Sequence, residues 1–179
     1  MKRNIMILGD GGHGKDTAAR LYCDMTPGTS FESSSKFCAN LFIFEVLRKR
    51  YGYSTVEECF NDRRNRRAEW HNLIAAFNTP MPTRLARAVY AEHDVYVGMR
   101  AKRELQGCFN QNLIDVVYWI DAFPRVPRES RASMDIDFHW VLHNRGRTCP
   151  LILIDNSSDK RVMFETEIYE GVRSGNRAR

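Results

Sequence analysis

The chain predicts an α/β fold of three layers, a mostly parallel five-stranded sheet between helices, in one domain over residues 1–179. Three observations predict it. Residues 5–8, 116–120 and 151–154 are apolar runs of the kind found in strands buried on both faces. Stretches of helical spacing separate them, which suits parallel strands joined by helical crossovers. The first run also ends in a glycine-rich turn that leads straight into a helix pattern.

Residues 4–9 are the first predicted strand and 15–25 the first helix. Between them stands Gly9-Asp10-Gly11-Gly12-His13-Gly14-Lys15, with the Gly-xxxx-Gly-Lys spacing of a P-loop. Such a loop turns successive backbone N–H groups around a phosphate, and a Cβ would block that approach. The helix opening at Lys15 adds the positive end of its dipole, and Lys15 reaches the outer phosphates of a triphosphate. The predicted cradle is Gly11, Gly12, His13, Gly14, Lys15, Asp16 and Thr17. The residue after the lysine, ordinarily Ser or Thr, is Asp16. The hydroxyl comes one place later, which leaves Thr17 to hold Mg²⁺. His13 is expected to point outward from the loop and is given no catalytic role. The fold is thus of P-loop NTPase type.

Thr26-Pro27-Gly28 is a turn, and residues 30–33 offer a short second strand. The serines before Lys36 offer N-caps for a helix through about Arg50, which Gly52 ends. Ser54 or Thr55, with Glu57 and Glu58 behind it, starts another. Asp62-Arg63-Arg64-Asn65-Arg66-Arg67 leads into Trp70, Leu73, Ile74 and Phe77 at helical spacing. Those arginines have two readings, a solvated helix face or a phosphate-contacting surface. After Pro80 and Pro82, Thr83 caps a helix carrying Arg84 and Arg87. Residues 94–100, 116–121, 138–143 and 151–155 are read as strands, and 157–172 as a final helix.

Ligands of such sheets sit at the carboxyl ends of the strands, where Gly9, Arg100, Asp121 and Asn144 all fall. Arg100 is placed to hold a phosphate, and Asp121 to orient a metal through water. Residues 122–135 contain prolines and have no periodicity. They suit a flap that closes Arg125, Arg128 and Arg131 over a transferring phosphoryl group.

Composition narrows the partners. The net charge is +5 and arginine is clustered, which favours a polyanionic ligand, nucleotide or nucleic acid. No apolar run approaches the roughly 20 residues of a membrane span, and no signal peptide is expected. The five cysteines are scattered without a Cys-x-x-Cys pair, as expected of free thiols in a reducing cytoplasm. The histidines show no zinc-ligand spacing.

Residues 9–17 with their Gly-Lys-Asp-Thr ending, Asp94-Val95-Tyr96-Val97-Gly98-Met99-Arg100 and Val117-Tyr118-Trp119-Ile120-Asp121 together carry a resemblance. On them the chain resembles the nucleoside monophosphate kinase superfamily and, within it, the bacteriophage deoxynucleoside monophosphate kinase group. It is also similar to phage enzymes that phosphorylate 5-hydroxymethyluracil already incorporated in DNA, a step toward hypermodified thymidine. That likeness lies in its short, arginine-rich chain, with Asp62-Arg63-Arg64 ahead of Trp70 and Arg84-Leu85-Ala86-Arg87 ahead of Arg100.

The resemblance implies an ATP- and Mg²⁺-dependent kinase acting on a modified pyrimidine in DNA in the host cytoplasm. Its catalytic residues would be Lys15, Asp16, Arg100 and Arg128. Arg63, Arg67, Arg84, Arg87, Arg100, Arg125 and Arg131 would bind substrate, and Thr17 and Asp121 would hold the metal. A hydroxymethyl acceptor is a neutral alcohol and gains from a carboxylate that takes its proton, with Asp16 the first candidate and Asp121 the second. Trp70 and Tyr90 are candidate stacking surfaces for a base swung out of the duplex, or core residues. Two alternatives stay open: a kinase for free deoxynucleoside monophosphates, and a P-loop module that binds nucleotide and nucleic acid without transfer.

Overall fold

The computed structural model describes residues 2–130 and 134–177. Its elements are β1 (Ile5–Leu8), α1 (Lys15–Met25), β2 (Phe31–Ser33), α2 (Ser34–Cys38), a π-helical turn (Ala39–Ile43), α3 (Phe44–Tyr51), α4 (Val56–Asp62), α5 (Arg67–Asn78), α6 (Arg84–Glu92), β3 (Val95–Val97), α7 (Lys102–Asn110), β4 (Val116–Asp121), α8 (Phe138–Asn144), β5 (Leu151–Asp155) and α9 (Arg161–Arg177). The five strands form one sheet in the order β2-β3-β1-β4-β5, and every pairing is parallel.

β1 sits at the centre, with Ile5 opposite both Val95 and Val116. Its side chains alternate between faces, and all four are buried because both faces are covered. Met6 and Leu8 join Tyr96, Val117 and Trp119 in the larger core, under the helices between β2 and β3 together with α7 and α8. Ile5 and Ile7 join Val95, Val97, Tyr118 and Ile120 in the smaller core, under α1 and α9. α9 lies close on the sheet. The Tyr118 hydroxyl donates to the Gly171 carbonyl at 3.2 Å, and a Cβ at Gly171 would come within 2.8 Å of Ile154 Cδ1.

Local signals account for some helix ends, though the Thr83 side chain expected to cap α6 makes no capping hydrogen bond. Ser33 Oγ accepts from the Lys36 N–H at 3.2 Å, and Gly52 closes α3 at φ +74°. Thr55 and Glu58 form a reciprocal capping box. The helix expected from Lys36 to Arg50 is broken by the π-helical turn, and the arginine-rich segment divides into α4 and α5.

One expected strand is a helix. Residues 138–143 read as a strand, but only Phe138 to Trp140 alternate, and Asp137 Oδ1 accepts from the Trp140 N–H at 2.8 Å and starts α8 instead. The helix buries Val141, half-buries Phe138 and Trp140, and leaves Leu142 exposed. Asn144 therefore ends a helix, not a strand. The flap expected at 122–135 has no helix or strand among its described residues, and Arg131 lies outside them. Among the described residues, no helix is long and apolar enough to cross a membrane.

Candidate functional site

The loop leaves the carboxyl end of β1, flanked by the ends of β3 and β4. Gly9 passes so close to β4 that a Cβ there would lie 2.3 Å from the Ile120 carbonyl oxygen, and its φ is +141°. Gly14, at φ +98°, is the residue on which α1 begins. Both positions demand glycine. Lys15 folds back over the turn and donates to the Asp10 carbonyl at 2.5 Å. Burial first, and the neighbouring Arg100 second, lower its ammonium to about 8. The cation is held in a place that disfavours it.

His13 departs from expectation. Its side chain is fully buried, not turned outward. Nδ1 accepts from the Ala122 N–H at 2.9 Å, so that nitrogen carries no proton and its 3.5 Å approach to Asp121 Oδ1 is no ion pair. The ring fastens the loop to the root of the flap. Asn156, the first residue beyond β5, fastens it from the other side. Its Nδ2 donates to the His13 carbonyl at 2.9 Å, and its own N–H donates to the Asp121 carbonyl at 2.7 Å.

The central feature is a carboxylate seated on the loop. Glu129, from the flap, accepts from the Gly11 N–H at 2.9 Å, from Arg67 at 2.5 Å and from Arg100 at 2.8 Å. Its side chain is only 13% exposed. Burial would raise its carboxyl, but Arg100 and Arg67 outweigh burial and hold it below the usual range. The flap is further tied down by the Glu129 N–H, which donates to Asp10 Oδ1 at 3.1 Å. Arg128 spans the buried Asp10 at 3.9 Å and Asp121 at 2.8 Å.

The predicted residues thus divide. Gly11, Gly12, His13, Gly14 and Lys15 form the loop; Arg67, Arg100, Arg128 and Asp121 meet around it. Asp16 and Thr17 are exposed in the first turn of α1. Asp16 lies near Arg63, whose guanidinium also covers the Phe60 ring at 3.9 Å. Arg125 donates to the Asn156 carbonyl at 2.8 Å and borders a cleft of about 230 Å³, whose wall also includes Gly14, Thr17 and Phe164.

Arg84 and Arg87 are not brought to the loop. Arg84 stacks 4.1 Å from the Phe77 ring, and Arg87 donates to Gln111 Oε1 at 2.7 Å. Arg66 likewise serves the fold, pairing with Asp62 and covering Tyr51. Trp70 and Tyr90 are core: both are buried, and the Tyr90 hydroxyl donates to the Ile5 carbonyl.

Asp121 has both carboxylate oxygens engaged, one by Arg128 and one by the Phe123 N–H. Among the described residues, no group of three or more His, Cys, Asp or Glu side chains is arranged for a metal ion. Magnesium bound with nucleotide needs only one or two protein ligands beside phosphate oxygens, and the exposed Thr17 hydroxyl at the start of α1 fits that role.

Glu129, Asp10 and Asn156 are site residues that motif spacing does not reveal. A single acid next to Arg128 in an arginine-rich segment was the signal for the first. The position after a strand end was the signal for the last.

No protein-family model matches the chain, and no curated protein matches it. Among solved structures, an unliganded sugar kinase from Janibacter sp. HTCC2649 is similar at 16% identity, over 97% of this chain and 94% of that one, with a TM-score of 0.45. That likeness is too slight to carry an argument about activity, which has to come from the residues.

Proposed function

We propose that this chain is a P-loop phosphotransferase that moves the γ-phosphoryl group of ATP, with Mg²⁺, to a nucleotide acceptor. One observation supports this most directly. The Gly11 N–H, Arg67 and Arg100 converge on a single carboxylate at the mouth of a glycine loop whose lysine is held in a half-buried place beside Arg100. Such a set of donors is suited to a phosphoryl group.

In this reading the loop N–H groups and Lys15 hold the outer phosphates. The cleft beside Gly14 takes the base, with the Arg125 guanidinium offering a flat face to it. Thr17 would hold Mg²⁺, with Asp121 acting through water; the ion would neutralise phosphate charge. Arg128 closes the flap against β4 and keeps water from the transfer.

On the resemblance, the acceptor is the hydroxymethyl oxygen of 5-hydroxymethyluracil in DNA. That oxygen attacks the γ-phosphorus, its proton passes to the Asp16 carboxylate, and the bond to the leaving ADP oxygen breaks. A second reading has its own support. Arg67 and Arg100 on one anion also suit the phosphate of a free deoxynucleoside monophosphate, an acceptor that needs no base.

γ-Labelled ATP with Mg²⁺, offered in parallel to hydroxymethyluracil-containing DNA and to deoxynucleoside monophosphates, separates the readings. Label retained on DNA supports the first. Label only in nucleoside diphosphates supports the second. Release of labelled phosphate with no labelled acceptor contradicts both and favours a non-transferring P-loop module.

A further inference from the structure

The flap carries its own anion into the loop, and the phosphotransferase reading gives that anion no task. Glu129 is not a stray surface acid. It is mostly buried, it takes the Gly11 N–H, it pairs with both Arg67 and Arg100, and its charge reaches Lys15. Space is as tight as charge: a Cβ placed on Gly11 would lie 2.9 Å from Glu129 Cδ, so the carboxyl group fills the room in front of the loop. Two donors and a backbone N–H aimed at one point match a phosphoryl oxygen set as well as they match a carboxylate.

We propose that Glu129 holds the place of a phosphoryl group: an incoming phosphoryl anion takes over the Gly11 N–H, Arg67 and Arg100, and the carboxylate turns out of the loop while Arg128 keeps its hold on Asp10 and Asp121. This rests on the phosphotransferase reading and deepens it. Glu129 makes the empty site self-neutralised and closed, so part of the binding energy of any phosphate ligand goes into displacing it. The Glu129 side chain then moves only when an anion of the right kind arrives. Arg128, bridging Asp10 and Asp121 one residue earlier, supplies the anchor about which Glu129 exchanges.

The same chemistry has two sources, the donor's terminal phosphate and a phosphate on the acceptor. Calorimetric titration of the wild type and Glu129→Gln, with ATP in one series and dTMP in another, tests the proposal and distinguishes them. Glutamine keeps the size and removes the charge, so the competent fraction of the site rises and apparent affinity rises with it, by about tenfold. Tighter ATP binding assigns the place to the donor, tighter dTMP binding to the acceptor, and either supports the proposal. Glu129→Ala carries the same expectation, should the glutamine variant not fold.

Equal affinities in variant and wild type for both probes would overturn the placeholder while leaving the loop reading intact. Weaker binding by the variant would overturn it too, making Glu129 a group that supports the ligand. If no protein binds either probe, the loop reading fails and the placeholder falls with it.

Discussion

The loop at residues 9–17 and the flap residues 122–130 face each other across one anion site and are built on opposite principles. The loop works with its backbone: glycines turn N–H groups inward, and Gly9 and Gly14 have no room or no conformation for a side chain. The flap works with side chains: Arg125, Arg128 and Glu129 reach Asn156, Asp10, Asp121 and the loop from a segment whose described residues form no helix or strand. Backbone demands leave a spacing that can be read in a sequence. Side-chain reach leaves only composition. The loop is therefore the legible half of the site and the flap the half that spacing conceals.

Substitutions on the two sides should differ in kind. The largest effect belongs to the loop's seat on the sheet. Gly9→Ala forces a Cβ against the Ile120 carbonyl and should cost about 3 kcal/mol of stability, read as a lowered urea midpoint. A midpoint within error of the wild type would mean that the loop is not pinned to β4. Substitutions around the flap's anion should spare the fold and strike function. Arg100→Ala should lower kcat/KM about 100-fold, with a melting temperature near that of the wild type. A change confined to stability would reduce Arg100 to a partner of Glu129.

Acidity sharpens the contrast next. Lys15 titrates at about 8 in the folded protein, below its ordinary 10.5. Between those values the unfolded chain holds more protons than the folded one, so the stability of the ligand-free protein should rise with pH across the window. Below about 8 the penalty of the buried ammonium is fully present. A bound triphosphate favours the ammonium, so binding above pH 8 takes up a proton and affinity should fall, by up to about tenfold per pH unit. Calorimetry in buffers of different ionisation enthalpy reads the uptake directly; affinity flat from pH 7 to 9.5 would place Lys15 away from the phosphates.

The smallest effects should lie outside both regions. Arg84→Ala and Arg87→Ala should leave turnover unchanged and move stability by less than about 0.5 kcal/mol, because their partners are Phe77 and Gln111. A turnover loss in either would extend the substrate surface to α6.

The same division explains what could be read from sequence. β1 and β4 are buried on both faces and apolar throughout, so they announce themselves, and the Thr55 capping box and Gly52 stop are local chemistry; β5, apolar in the same way, lies at the sheet edge with Leu153 exposed, so its run marked the strand but not its burial. Residues 138–143 misled because the alternation of Phe138-His139-Trp140 is too short to tell a strand from a helix, and only the Asp137 cap, three residues before Trp140, decides. The arginine run was legible as charge but not as geometry. Arg63 and Arg66 settle on aromatic rings, and Arg67 alone of these three is seen on the loop's carboxylate. Glu129 could not be placed from spacing, since an irregular segment has no period to project. His13 was misjudged because the cavity that receives its ring is made by β4 and the flap root, which are distant in sequence.

The most direct test of the central claim, that the glycine loop drives phosphoryl transfer, compares the wild type with Lys15→Ala in the labelled-ATP assay. Circular dichroism confirms the fold of each. The account predicts labelled acceptor with the wild type and a loss on the order of 1000-fold in the folded variant, since the lysine meets the transferring phosphates directly. Near-normal label transfer by Lys15→Ala would contradict it.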